Sequence, residues 1–111
     1  MIICSAFLVN FLSQHFARAI TVFPFILLKD KSLKNDRVLL NHEKIHWYQQ
    51  LETGIFLFYL WYLASYFYSR SKGLSHYESY RHISFEQEAF DNESNLYYLK
   101  KRRLWAFIHW V

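Results

Sequence analysis

From Arg37 to Arg70 the chain contains no proline and a single glycine, Gly54. Nothing else in that stretch punctuates a helix, so a large share of the 111 residues is committed to helix at the outset. At 1.5 Å per residue it forms one helix of about 50 Å, or two helices bent near Thr53–Gly54. Asn35 or Asp36 can cap its start, and Gly73, within the break at 71–75, suits the position just past its end. A second helical region runs from His82 or Ser84 to near Tyr98, with Ser84 as a cap and Glu86, Gln87 and Glu88 in its first turn. Upstream, residues 1–19 fit strand or helix equally. Ile20–Leu28 (ITVFPFILL) is β-branched and aromatic and reads as a strand, which Pro24 restricts to an edge or a bulge. Lys29–Asp36 is a polar connection.

With two glycines and one proline a turn-rich β-sandwich is excluded, and 22% aromatic residues exclude intrinsic disorder. Cys4 is the one cysteine, which excludes an internal disulfide scaffold and, with no His or Asp nearby in sequence, argues against a cysteine nucleophile. The expected fold is α+β, mainly α, as a single domain over 1–111. A strand region and loop fill 1–35, a helical segment 36–72, and a glutamate-bearing helix with a basic-aromatic tail 73–111.

His42-Glu43-Lys44-Ile45-His46 is an HExxH motif lying where helix is expected. Residues four apart share a helix face, so His42 and His46 can aim two imidazoles at one ion. Glu43, about 100° round the helix, stands beside that ion, where it can act as general base on a metal-activated water. A catalytic zinc takes three protein ligands. Two downstream glutamates compete for the third place. Glu86 has Ile83, Ala89 and Phe90 as helical neighbours, whereas Glu88 has Ser84, Asp91 and Asn92. Glu86 therefore faces inward, where an acid needs a reason to be buried, and is the expected ligand. Glu88 is left either solvated or behind the ligands. Gln49 continues the His42–His46 stripe and can hydrogen-bond there too, while Tyr80 and His82 precede the glutamate helix and can stabilise an oxyanion. His15, His76 and His109 have no partner at metal-ligand spacing.

HEKIH followed by a helix carrying a glutamate resembles the gluzincins, the zinc metallopeptidases with His, His and Glu ligands. The stretches Asn41–Glu52 (NHEKIHWYQQLE) and Tyr80–Ala89 (YRHISFEQEA) are similar to a group of small bacterial HExxH proteins, with TVFPFILLKDK before the motif fitting the same group over about 20–105. The resemblance implies a minimal zincin-like domain holding one zinc on His42, His46 and Glu86, with Glu43 as base. It also implies an edge strand, Ile20–Leu28, on which an extended peptide or protein substrate adds. Many gluzincins have an aspartate four residues after the ligand glutamate. Here that place is Phe90, with Asp91 one residue on as the nearest carboxylate able to orient a histidine. The expected activity is zinc-dependent peptide hydrolysis; a non-catalytic zinc-binding or membrane-associated interaction protein is the alternative.

Lys plus Arg exceeds Asp plus Glu by 13 − 9 = 4, and Lys100-Lys101-Arg102-Arg103 supplies all of that excess. With Leu104, Trp105, Phe107, Ile108 and Trp110 following, the C-terminus reads as a basic-aromatic amphipathic tail suited to an anionic membrane surface. No motif for reading nucleic acid is present, and none is expected as a partner. Ile55–Tyr68 (IFLFYLWYLASYFY) carries no charge and is apolar around its whole circumference. It is shorter than a spanning helix requires, so internal burial, membrane contact or homo-oligomerisation must cover it. The first dozen residues lack a basic region and a cleavage site and make a poor signal peptide. The expected location is cytoplasmic or peripheral to a membrane.

Overall fold

A computed structural model of the chain describes residues 2–13 and 18–110. His15 lies outside the described residues. The fold is α+β and mainly helical: β1 (Ile2–Cys4), α1 (Ala6–Ser13), β2 (Ala19–Val22), β3 (Phe25–Leu28), α2 (Arg37–Thr53), α3 (Ile55–Ser71), α4 (His76–Arg81), α5 (Ser84–Asn92) and α6 (Tyr98–Lys101), with 3-10 turns at Lys31–Asn35 and Ala106–Trp110. Among the described residues no helix is long and apolar enough to cross a membrane.

Ile20–Leu28, expected as one strand, is a hairpin. Phe23 and Pro24 form its turn through a cis peptide, and Val22 stands opposite Phe25. Proline lacks an N–H for the ladder and so falls at the turn, where none is required. The sheet order is β1-β3-β2, with β3 parallel to β1 and antiparallel to β2. Of the predicted stretch, therefore, only β2 is an edge. Leu28 and Ile26 of β3 and Ala19 of β2 form a small core with Leu39, Leu40 and Trp47 of α2 packed against it.

The segment 36–72, expected as one long helix or as two bent near Thr53–Gly54, is two helices meeting at Gly54. Gly54 has φ 80 and ψ 148, backbone that essentially only glycine occupies, and the chain turns there. Asp36 caps α2 by accepting the Leu39 N–H at 3.0 Å. The α5 helix starts one residue earlier than expected: Ile83 holds the capping position without a side-chain bond, and Ser84, expected as the cap, is the first helical residue, its buried hydroxyl unpaired. A second core joins Phe58 of α3 to Ile83, Phe85 and Phe107, with Tyr59, Tyr62 and Tyr66 against it. The α2 helix lies between the two cores, and this position sets the site. Its buried residues are Asn41, His42, Glu43, His46, Gln49, Gln50 and Thr53, with Ile45 as the apolar member. Burying so many polar groups is destabilising unless each finds a partner.

Candidate metal centre

His42 and His46 project from successive turns of α2 towards α5, where Glu86 meets them. The Glu86 Oε1 atom lies 3.1 Å from His42 Nε2 and 3.0 Å from His46 Nε2, and the two Nε2 atoms are 3.2 Å apart. All three residues are buried. A tetrahedral ion with ligand bonds of 2.0–2.1 Å separates its ligand atoms by about 3.3 Å, close to this triangle.

The outer ring atoms fix the protons. His42 Nδ1 faces Glu93 Oε1 at 3.1 Å, a carboxylate that can only accept. His46 Nδ1 faces Gln49 Oε1 at 2.8 Å, and that amide is oriented because its Nε2 donates to the Phe85 carbonyl and to Glu88 Oε1. Both Nδ1 atoms therefore donate. In its neutral form each ring would turn a lone pair at Nε2 towards the lone pairs of Glu86 Oε1, and what fits such a centre is a cation. A proton meets the need in part: burial acts to lower the His46 pKa, but the Glu86 carboxylate, with Glu43 behind it, raises it to about 9. In the same pairing Glu86, despite burial, is held well below the ordinary carboxylate range by the two histidines. A metal ion engages all three atoms together, and these residues are placed to hold one.

The surrounding side chains hold the triad in place. Tyr62 of α3 donates to Glu86 Oε2 at 2.7 Å, leaving Oε1 for the centre. Burial, and then Glu86, push the Tyr62 hydroxyl well up, so it stays a donor. Tyr80 also bonds Glu86, and burial together with the Glu86 and Glu43 carboxylates raises its pKa. Asn41 Nδ2 donates to the carbonyls of Asn92, Glu93 and Asn95, fixing the chain at the end of α5 where Glu93 reaches His42. Glu43 is buried, its Oε1 accepting from Thr21 Oγ1 of β2 at 2.8 Å. Gln50 bridges the same strand, donating to the Thr21 carbonyl and accepting the Phe23 N–H.

Two expectations need correction, and the alternative left open for Glu88 is decided. Asp91 does not orient a histidine; it is exposed and accepts from Trp110 Nε1, and Glu93 takes the role instead. Seven residues beyond Glu86, Glu93 lies on the same helical stripe, and that spacing was the available signal. His82 is exposed at the C-terminal cap of α4 rather than in the centre. Of the two places left open for Glu88, the structure gives the one behind the ligands: it is fully buried, bound by Arg102, Tyr98 and Gln49, and so stands one link behind His46. Arg102 leaves the presumed basic tail to make this contact, pairing at the same time with both oxygens of Glu52 at 2.9 Å. The contributions of Tyr62 and Asn41 had no spacing to betray them, because both act across the fold.

No protein-family model matches the chain, and no curated protein or solved structure is similar enough to it to count as a relative.

Proposed function

We propose that the protein is a minimal zincin-like zinc metallopeptidase. The observation that carries the reading is the convergence of three ligand atoms from an HExxH helix and a glutamate helix, with the motif's own glutamate pinned alongside by Thr21. Two imidazoles and a carboxylate suit zinc and leave the fourth position of a tetrahedral ion open. One bound zinc supplies a Lewis acid and an acidified water. Glu43 takes the proton from that water and passes it to the leaving amine. Tyr80, kept as a hydroxyl by burial and the neighbouring carboxylates, would turn its proton from Glu86 to the oxygen of a carbonyl bound there. An extended peptide or protein segment is the substrate class. It does not add to β2 along its full length, since the Thr21 carbonyl is already held by Gln50 and by Tyr59 at 2.7 Å. The burial of all three ligands favours a second reading, in which the ion staples α2 to α5 without catalysis.

The test is metal content by mass spectrometry together with peptide hydrolysis. One zinc per chain is expected, lost in His46→Ala and Glu86→Gln. Glu43→Gln should keep the zinc and lose hydrolysis by a factor of at least about 100. Zinc retained with no Glu43-dependent hydrolysis of any peptide pool leaves the staple reading. No zinc in any preparation, zinc-supplemented ones included, sinks both.

A further inference from the structure

One side of α3 faces the core and the metal centre; among the described residues most of the other is left uncovered. Phe58, Tyr59, Tyr62 and Tyr66 form the inward stripe, and Tyr62 is the residue that holds Glu86. Across about half the circumference opposite, the side chains are apolar and exposed: Phe56 at 80%, Leu57 at 57%, Leu60 at 56% and Phe67 at 62%. Along one flank of this face runs a groove of about 620 Å³, lined by Leu57, Leu60, Trp61, Ala64, Tyr68 and Trp105 among others. Trp105 reaches it from a backbone at φ 60, which a bulky residue adopts only under constraint. That constraint is Glu52 Oε2, accepting the Trp105 N–H at 2.8 Å.

The charged side chains of α3 and of the residue that follows it, Lys72, are all basic. Ile55–Lys72 contains no acid, and Arg70 and Lys72 close its far end, with the Lys72 ammonium 4.6 Å over the Tyr68 ring. Arg103, exposed, precedes Leu104 and Trp105 at the near end. Glu52, the nearest acid in sequence, is buried and neutralised by Arg102. A contiguous apolar patch rimmed by polar groups marks an interaction surface. Here the rim disfavours a symmetric dimer, because in either orientation cationic ends would meet cationic ends. Anionic headgroups complement that rim, and Trp and Tyr at its margin suit the headgroup depth.

We propose that this α3 face and the Arg103–Trp105 corner seat the protein on an anionic lipid bilayer, with α3 lying in the interface plane. The metal centre then stands behind α3, about one helix diameter, ~10 Å, from the lipid. This does not depend on the hydrolytic reading.

Flotation of the full chain with phosphatidylcholine vesicles, with and without phosphatidylglycerol, tests it. Binding to the anionic vesicles should be at least about tenfold stronger and should weaken in high salt. Brominated acyl chains should quench the tryptophan emission, less so in Trp61→Phe/Trp105→Phe. Leu60→Asp/Phe67→Asp should abolish flotation while thermal unfolding stays unchanged. Should that variant misfold, Lys72→Glu/Arg103→Glu, which changes two exposed charges and removes only the surface contact of Lys72 with the Tyr68 ring, must weaken anionic binding. Equal flotation on neutral vesicles, or full binding by both variants, overturns the proposal. So does a salt-insensitive dimer that ignores vesicles and is split by the α3 variant, since the face then joins two copies.

Discussion

At the scale of single residues, the centre turns on where protons sit. Glu93→Gln keeps an acceptor near His42 but removes the charge that fixes its tautomer, and zinc affinity should fall 10- to 100-fold in a chelator competition titration. Tyr62→Phe frees Glu86 Oε2 and should weaken zinc while the far-ultraviolet spectrum is unchanged. His46 supplies the pH dependence. Its folded pKa of about 9 is above its ordinary 6.5, so the ion-free protein gains stability that is complete below 6.5 and is lost as pH rises through 9. Zinc must displace that proton, so affinity should climb about tenfold per pH unit between those values and then level off. A pH-independent affinity over that window would show that His46 is not a ligand. His42 and His46 were readable because helical spacing brings them to one face with Glu43 beside them, and Glu86 because its own helical neighbours are apolar. Tyr62, Asn41 and Glu93 were less so, since their roles depend on how α3 and the end of α5 close over α2.

At the scale of elements, the two joints carry the differences from expectation. Gly54 separates the motif helix from α3. Its φ of 80 with ψ 148 excludes other residues on backbone grounds, although nothing lies within 4 Å of a Cβ placed there. Gly54→Ala should therefore cost about 1–3 kcal/mol in urea unfolding, with no steric component for a neighbouring cavity mutation to relieve. The sequence carried this signal, a lone glycine in a proline-free run, but composition could not say whether the chain bends gently or turns. Pro24 was legible as a break in the ladder and not as a hairpin turn, because ITVFPFILL has no polar turn residue. Apolar patterning likewise located α3 without saying that only one of its stripes packs inward.

At the scale of the whole molecule, Arg102 ties the C-terminal segment to the motif helix. Its guanidinium is 4% exposed and pairs with Glu52 at 3% and Glu88 at 0%. Arg102→Met leaves two buried carboxylates without a cation and should cost about 3–5 kcal/mol, a large part of what a small domain possesses. Because the pairs are buried, added salt should change the measured loss little. Counting charges gave Arg102 to a surface patch; only the tertiary fold turns it inward. The clamp also imposes an order on biosynthesis. A nascent chain is made from its N-terminus, so Glu52 and Glu88 emerge long before the arginine that neutralises them, and through that interval the motif helix holds its polar face without its closing partner. A message truncated before codon 102 thus encodes prey for cellular proteases rather than a weaker version of the same protein.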